Sequence, residues 1–240
     1  MSELGYLDPM SSPVWSKSSL KEHVAEIESS ALDLDAAHPI DIVKWAASKV
    51  GSSIVVTCSF EDAVLADVVT RAAPGIEVVM IDTQYVFAET HWLANEVKQR
   101  HNVNLRVVQP SLSVVPDNLW QRDTEACCNV RKVKPLEDLL SDTTCWVTGV
   151  RRVDGPTRAN TPVVAYDAAR GVLKVNPLAA FSDDDMVTYE HLYELPEHPL
   201  KSRGYASIGC WPCTRPVAPG EDKRAGRWSG QEKTECGLHV

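Results

Sequence analysis

The sequence lacks the long apolar runs, the secretory leader and the positive charge that would assign it to several large classes of protein. None of its apolar runs approaches the about 18 residues that a membrane span requires. The first five residues, MSELG, have neither the basic nor the apolar part of a secretory signal. With 24 Lys and Arg against 33 Asp and Glu, the formal charge of −9 disfavours general binding to nucleic acid. We therefore expect a cytoplasmic protein that binds neither membrane nor nucleic acid.

The negative charge is unevenly distributed along the 240 residues. Residues 201–240 contain seven basic and four acidic side chains, a balance of +3, which leaves −12 for the rest of the chain. A local positive region on an acidic protein indicates a small anionic ligand, although a solvated surface would have the same composition.

The order of apolar segments predicts an α/β fold. Short apolar strands alternate with helices, which is typical of a parallel sheet covered by helices on both faces. We predict strands at 54–58, 78–81, 105–108 and 145–150, helices at 40–50, 62–71, 89–99 and 130–140, and a hairpin at 163–166 and 173–175. Two further helices are predicted from capping sequences, one at Ser19-x-x-Glu22 and one that begins at Ser182 and runs to Leu195.

Composition then divides the chain into three parts. Residues 1–50 form an N-terminal helical segment, residues 51–200 the α/β nucleotide-binding domain, and residues 201–240 an extended C-terminal arm. The arm is rich in Gly, Pro and charge and has little periodicity, so we do not expect a second domain there.

The seven cysteines are of three kinds. Cys58 and Cys145 lie in apolar strands and are expected in the core. An adjacent pair, Cys127-Cys128, and a distant pair, Cys210 and Cys213, together suggest a metal site. Structural zinc is one interpretation, but neighbouring residues direct their side chains apart, which makes it awkward for both to bind one small ion. A [4Fe–4S] cluster offers a separate iron to each thiolate, and the spacing favours it.

Cys236 is the third kind, alone near the C-terminus. Lys233 and His239 could stabilise its thiolate, and Gly237 would let the backbone bend around a ligand. These neighbours make Cys236 a candidate nucleophile.

Three turns at predicted strand ends are candidate ligand sites, because ligands of open parallel sheets bind beyond the carboxyl ends of the strands. The first contains Ser59, whose hydroxyl could hold a phosphate, and the second contains Asp82 and Thr83. The third contains Arg151, Arg152 and Arg158, which suggest a doubly charged oxyanion.

Three segments closely resemble the assimilatory adenylyl-sulfate reductases of the adenylyl-sulfate and phosphoadenylyl-sulfate reductase family. They are CCNVRK at 127–132, IGCWPCTRP at 208–216 and ECGLH at 235–239, supported by shorter matches such as DT at 82–83 and WVTG at 146–149. The resemblance runs from about residue 54 to residue 239. It implies a PP-loop fold, related to the adenine-nucleotide α-hydrolases, with an extended C-terminal arm.

The resemblance also implies the site. Cys127, Cys128, Cys210 and Cys213 would hold a [4Fe–4S] cluster, and Cys236 would be the nucleophile. The implied substrate-binding residues are Ser59, Asp82, Thr83, Lys132, Arg158, Arg224, Arg227 and His239. Two departures from the family pattern stand out: the turn at Ser59 has no glycine, and Gln84 follows Asp82-Thr83 where glycine is common.

The implied reaction is the thioredoxin-dependent reduction of adenylyl sulfate to sulfite and AMP, through an S-sulfocysteine, in sulfate assimilation and cysteine biosynthesis. One alternative is a reductase of 3′-phosphoadenylyl sulfate, although that branch usually lacks the paired cysteines. Another is a non-catalytic, zinc-stabilised nucleotide-binding module. A homo-oligomer is allowed but not indicated by the sequence.

Overall fold

The computed structural model describes residues 15–115, 117–231, 233 and 235–238. Its centre is a six-stranded sheet in the order β3-β2-β1-β4-β6-β5. The strands are β1 (Ile54–Thr57), β2 (Glu77–Ile81), β3 (Asn104–Val108), β4 (Cys145–Thr148), β5 (Val164–Asp167) and β6 (Val172–Val175). Each lies within about two residues of its predicted position, so the predicted strands are confirmed.

The α-helices occupy both sides of this sheet. They are α1 (Val24–Asp33), α2 (Pro39–Val50), α3 (Val64–Ala72), α4 (Ala88–Arg100), α5 (Leu119–Arg122), α6 (Thr124–Cys128), α7 (Lys134–Leu140) and α8 (Asp183–Leu192). In addition, short 3₁₀ turns occur at Leu20–His23, Arg152–Asp154, Pro156–Arg158, Lys201–Arg203 and Trp211–Cys213.

The sheet is parallel except for β5, which pairs antiparallel with β6 as the predicted hairpin. From β1 the chain builds outward to β2 and β3 on one side and continues with β4 on the other side of β1. The carboxyl ends of β1 and β4 therefore flank the point at which the strand order reverses, where open α/β sheets bind their ligands.

Alternation along the strands produces a core on each face of the sheet. Ile54 and Val56 belong to the larger core, together with α2 and α3. Val55 and Trp146 belong to the smaller core on the opposite face, where α7 contributes Leu136 and Leu140. Burial on both faces explains why these strands are apolar at consecutive positions.

The sequence predicts a sheet covered by helices on both faces, but the edge strand β3 is partly exposed. Asn104, Arg106 and Val107 in β3 are exposed. Arg106 donates two hydrogen bonds to Glu77 on β2, at 2.9 and 2.8 Å. Polar pairing thus replaces helix packing at this edge.

The two predicted caps have different outcomes. Ser182 begins α8 in a capping box with Asp185, in which each side chain accepts from the other residue's backbone N–H. Ser19 makes no such bond to the following turn and instead pairs with Ser16, so the predicted capping box with Glu22 is wrong.

The helix predicted at 130–140 begins earlier and has a local irregularity. α6 leads into a π-helical turn at Asn129–Val133, which continues as α7. Cys127 and Cys128 are therefore helical residues. π-turns of this kind occur frequently at functional sites, and this one carries Arg131 and Lys132.

Beyond α8 the arm follows an irregular path back across the sheet. Near its end Leu238 packs against the smaller core. Among the described residues, no helix has both the length and the apolar character that crossing a membrane requires.

Candidate active site

A cavity of about 410 Å³ lies at the carboxyl ends of β1 and β4. The turn after β1 contributes Ser59, the turn after β4 contributes Gly149, and the arm closes the cavity with Ile208 and Cys236. The cavity thus lies where the reversal of strand order predicts a ligand site.

This cavity brings together seven of the residues named from the sequence. They are Ser59, Lys132, Arg151, Arg158, Arg224, Arg227 and Cys236. Thr83 faces a neighbouring small cavity lined by cysteines. Asp82 accepts hydrogen bonds from the Gln84 backbone N–H and the Gln109 side chain, both at 2.8 Å, which fixes the turn after β2. His239 lies outside the described residues.

The turn that carries Ser59 is shaped without glycine. Phe60 is buried and has a left-handed φ of 51°. Asp62 then accepts a hydrogen bond from the Val64 backbone N–H at 2.9 Å, at the start of α3. Ser59 itself is exposed, so its hydroxyl is accessible to a ligand.

The electrostatic surroundings of Cys236 favour its thiolate. Burial raises the pKa of this thiol, but Lys132, the Leu238 backbone N–H and Arg227 outweigh that effect and lower the pKa below its ordinary value. Gly237 follows with φ of 85°, a backbone conformation for which glycine is suited.

Other cysteines show the opposite shift. Burial raises the pKa of Cys58 and Cys128 to about 12 and that of Cys213 to about 11. Without a metal these three remain protonated thiols at neutral pH, so Cys236 is the better nucleophile.

Two cations beside Cys236 form no ion pair with a carboxylate in the part of the chain that the structure describes. Among the described residues, no Asp or Glu oxygen lies within ion-pair distance of Lys132 or Arg227. Burial and repulsion by Arg158 and Arg227 lower the pKa of Arg224. Crowded cations of this kind favour an anionic ligand.

Glu235, next to the candidate nucleophile, was missed by sequence reasoning. Arg158 donates to its two carboxylate oxygens, from Nε at 2.8 Å and from Nη2 at 2.7 Å. The Thr157 hydroxyl donates a third hydrogen bond at 3.1 Å. The side chains of Arg158 and Glu235 are both largely buried. Its place as the first residue of the ECGLH segment, directly before Cys236, was the signal that could have indicated Glu235 from the sequence.

A network of ion pairs at the cavity wall was also missed. Asp154 and Asp183 each lie within ion-pair distance of Arg151 and of Lys223. Lys223 belongs to the arm, so the network attaches the arm to the turn after β4. Arg152 points elsewhere, to Asp35, and the predicted convergence of three arginines on one oxyanion is therefore wrong.

Thr90 on α4 contributes a hydroxyl to the cavity wall. It lies 3.1 Å from Nε2 of His198, a fully buried imidazole whose pKa burial lowers to about 4. His198 Nδ1 accepts the Leu200 backbone N–H at 3.2 Å, so the neutral ring carries its proton on Nε2 and donates to Thr90.

The cysteine cavity lies next to the first one. All four cysteines of the two pairs line it, Cys127 and Cys128 from α6 and Cys210 and Cys213 from the arm. No three His, Cys, Asp or Glu side chains in the described part of the chain converge closely enough to hold a single metal ion.

Arg131 forms a buried wall of the cysteine cavity. It donates to Gln84 Oε1 at 2.5 Å and to the Val115 carbonyl at 2.6 Å, and it lies over the Tyr85 ring. Gln84 has a left-handed φ of 67°, the conformation that glycine would adopt without strain. Its side chain compensates by holding Arg131.

Three N–H groups around the cysteine cavity lack acceptors. Trp120 Nε1, Arg131 Nε and Arg227 Nε are buried and have no hydrogen-bond partner among the described residues. Buried donors are normally satisfied, so these groups indicate that the cavity receives a group with acceptors.

The sheet order and the cavity at the strand reversal, which is lined by basic side chains, define an α/β protein of the PP-loop fold. The fold is that of the phosphoadenylyl-sulfate reductase of Candida auris, with a TM-score of 0.70, 22% identity, and coverage of 85% of this chain and 100% of that one. The FMN adenylyltransferase of Candida glabrata is also similar in fold, with a TM-score of 0.53, 14% identity, and coverage of 84% and 76%.

The sequence comparisons identify the family within this class. The model of the phosphoadenosine phosphosulfate reductase domain matches residues 53–216. The adenosine 5′-phosphosulfate reductase of Streptomyces coelicolor is 44% identical over 225 residues, which cover 91% of this chain and 95% of that protein. The chain belongs to the phosphoadenosine phosphosulfate reductase family and is a reductase, which confirms the resemblance seen in the sequence.

Proposed function

We propose that the protein reduces adenylyl sulfate to sulfite and AMP, with Cys236 as the nucleophile. The observation that carries this proposal is the lowered pKa of Cys236 in a cavity shared with Lys132 and Arg227. Relatives named adenosine 5′-phosphosulfate reductase support the substrate.

The first step is attack of the Cys236 thiolate on the sulfur of adenylyl sulfate. A bond forms between the two sulfur atoms, the bond from sulfur to the bridging oxygen breaks, and AMP departs with that electron pair. The enzyme is left with an S-sulfocysteine. Lys132, Arg224 and Arg227 are suited to stabilise the charge that develops on the phosphate oxygens.

An external dithiol completes the cycle. One of its thiolates attacks the Cys236 sulfur, and sulfite leaves with the electron pair of the S–S bond. The second thiol then resolves the mixed disulfide, so the dithiol is oxidised to a disulfide and the Cys236 thiolate is restored. We propose thioredoxin as the dithiol and cytoplasmic sulfate assimilation, leading to cysteine biosynthesis, as the setting.

Binding of the nucleotide is assigned to the turns that face the cavity. The exposed Ser59 hydroxyl is available to a phosphate or ribose oxygen. Asp82 and Thr83 are assigned to the nucleotide side by the resemblance, and they would act through the shape of the turn that they form. The same resemblance assigns His239 to the phosphosulfate.

The cysteine cavity fits a [4Fe–4S] cluster held by Cys127, Cys128, Cys210 and Cys213. Its three unpartnered N–H groups need acceptors, and the inorganic sulfides and thiolates of a cluster are acceptors. A zinc ion brings none and requires ligands that converge on one point. When bound, the cluster would act on the cavity electrostatically, and Lys132 lines both cavities.

The substitution Cys236→Ser tests the proposal on anaerobically purified protein. We expect sulfite formation from adenylyl sulfate to be lost, while iron content and AMP binding are retained. Cys145→Ala, in the core of β4, is the matched control and should keep its turnover. Full turnover by Cys236→Ser would refute the proposed role of Cys236.

Two further measurements separate the alternatives. The reductase with a cluster is a brown protein with about four irons per chain, whereas a zinc-stabilised binding module is colourless and contains zinc. A preference for 3′-phosphoadenylyl sulfate over adenylyl sulfate in steady-state turnover would overturn the choice of substrate.

A further inference from the structure

Trp228 is a buried aromatic residue of the arm that belongs to neither core of the sheet. Its side chain is only 4% exposed, yet it is not a member of the larger or the smaller core that the described residues form. It lines both the cavity at the strand reversal and the cysteine cavity. The packing of the sheet therefore does not explain why this side chain is buried, whereas the two cavities do.

The backbone at Trp228 is strained. Its φ of 46° lies in the left-handed region, which bulky residues rarely adopt. Hydrogen bonds hold it there: the Trp228 N–H donates to the Cys213 carbonyl at 3.0 Å, and the Trp228 carbonyl accepts the Gln231 N–H at 2.9 Å. The preceding residue, Arg227, pairs with Thr214 in an isolated β-bridge. Strained residues of this kind cluster at functional sites, where the surrounding structure fixes them.

Three cations of the arm lie around the Trp228 ring. The ring centre is 4.5 Å from Cζ of Arg227, 6.0 Å from Cζ of Arg224 and 5.7 Å from Nζ of Lys233. The face of an indole attracts a cation within about 6 Å of its centre, and the attraction is stronger where water is excluded. Lys233 also forms an ion pair with Glu125. The two arginines line the cavity at the strand reversal.

An aromatic partner leaves more of an arginine to a ligand than a carboxylate does. A carboxylate neutralises the guanidinium and competes with an anion, whereas a ring face attracts the cation without occupying its N–H donors. Arg227 Nη1 donates to the Ser207 hydroxyl at 3.2 Å and to the Ile208 carbonyl at 3.4 Å. Its Nε has no hydrogen-bond partner in the described part of the chain. The ring thus holds Arg227 while its charge stays available.

We propose that Trp228 is a positioning residue for the substrate: its ring holds Arg227 and Arg224 by cation–π attraction in the orientation that receives the phosphate of the nucleotide. Like charges on the two arginines repel each other, and a single ring that attracts both opposes their separation. The inference rests on the proposed function, because it takes the nucleotide phosphate as the anion that these arginines bind. Trp228 acts through the arginines and need not contact the phosphate.

The experiment replaces Trp228 by tryptophans with an increasing number of fluorine atoms on the indole, incorporated at this site in the full-length protein. Fluorine withdraws electron density from the ring face and weakens its attraction for cations, while the shape of the side chain is nearly unchanged. Trp15 is the matched control. Its ring also lies beneath a cation, with Lys49 Nζ at 5.1 Å, but it belongs to the larger core and lines neither cavity.

The Kd for AMP, the iron content and Tm are measured for each anaerobically purified protein. We expect the Kd for AMP to rise with each added fluorine at Trp228, by about two- to fivefold across the series, with iron content and Tm unchanged. The same series at Trp15 should leave the Kd unchanged. A packing role for Trp228 does not produce this trend, because every member of the series fills the same space.

Three results would overturn the inference. If the Kd does not depend on fluorination at Trp228, packing alone explains the residue, and an equal rise at Trp15 would show that the effect is not specific to the site. If iron is lost as fluorine is added and the Kd follows the iron content, Trp228 acts on the cysteine cavity instead. Failure of the proposed function is a separate result: a wild-type protein that binds AMP but forms no sulfite refutes the reaction, and the fluorine series still tests Trp228.

Discussion

Thr83 Oγ1 lies 3.1 Å from Cys210 Sγ, so the turn after β2 contacts the arm at the first cysteine of its pair. The Tyr85 backbone N–H donates to the same hydroxyl at 3.2 Å. Either group can donate in this contact when Cys210 is a thiol. A metal-bound Cys210 thiolate has no proton, so the Thr83 hydroxyl would then be the donor. A residue implied as a nucleotide ligand thus contacts a residue implied as a metal ligand.

This contact predicts that Thr83→Val weakens metal retention. Valine keeps the shape of the side chain but removes the donor to Cys210, and a hydrogen bond to a charged group contributes about 1.5–3 kcal/mol. We expect the variant to lose iron to a chelator several times faster than the wild type. The loss of iron is measured as the decrease of visible absorbance under anaerobic conditions.

Thr83→Ser is the matched control for this measurement. Serine retains the hydroxyl and should retain iron at the wild-type rate. Equal rates for the valine variant and the wild type would mean that the hydroxyl does not stabilise the bound metal.

Most of the fold could be predicted because its signals are local. β1 and β2 are short apolar runs, and each is followed by a helical pattern, an order that is typical of a covered parallel sheet. The capping box at Ser182 is likewise complete within four residues. The capping box predicted at Ser19 does not form, because the Ser19 hydroxyl bonds to Ser16 instead.

The features that could not be predicted depend on contacts between segments that are distant in the sequence. Arg158 and Glu235 are 77 positions apart, and neither carries a local signal that the other is its partner. Likewise Gln84 holds Arg131, 47 positions away, which no pattern at the DTQ turn indicates. The residue types of the site were predictable, whereas the pairing of its arginines with carboxylates elsewhere in the chain was not.

The pH dependence of Cys236 provides the next prediction. Burial raises the pKa of this thiol, and Lys132 is the largest influence that lowers it. Lys132→Gln therefore raises the pKa, which reduces the thiolate fraction at any pH below it. We expect a higher value for the pH at which the rate of alkylation of Cys236 by iodoacetamide is half-maximal.

Turnover should fall with the same substitution, on the order of 10²-fold, because Lys132→Gln also removes a charge that faces the leaving phosphate. Arg215→Gln, on the exposed surface of the arm, is the control and should leave the alkylation profile unchanged. An unshifted profile for Lys132→Gln would contradict the electrostatic role given to Lys132.

Thr90 and His198 predict a change in stability. In Thr90→Val the buried Nε2 proton of His198 loses its acceptor, which costs about 1–3 kcal/mol. A domain of this size loses about 2–4 °C in Tm per kcal/mol, so we expect Tm to fall by several degrees. Thr90→Ser keeps the hydroxyl and should have a Tm close to that of the wild type. If Thr90→Val also kept the wild-type Tm, another acceptor would have replaced Thr90 as the partner of His198 Nε2.

Substitution of Gly209 is expected to lower the activity of the protein without lowering its stability. A methyl group at this position would lie 2.3 Å from Arg227 Nη2, so Gly209→Ala must displace the guanidinium from the cavity. The displaced atom is the end of a flexible side chain, and the fold can accommodate its movement. We therefore expect Tm to change little and kcat to fall on the order of 10²-fold, because Arg227 no longer stabilises the leaving phosphate.

Gly155→Ala is the control for this substitution, since its added methyl group meets only Arg224 Cδ at an ordinary 3.9 Å. Gly226→Ala provides the opposite comparison. Its methyl group would lie 2.2 Å from the Arg215 carbonyl oxygen, a backbone atom that cannot move without disturbing the arm, so Tm should fall together with activity. If Gly209→Ala retained full turnover, Arg227 would not be a ligand of the phosphate, and Lys132 and Arg224 would carry that role without it.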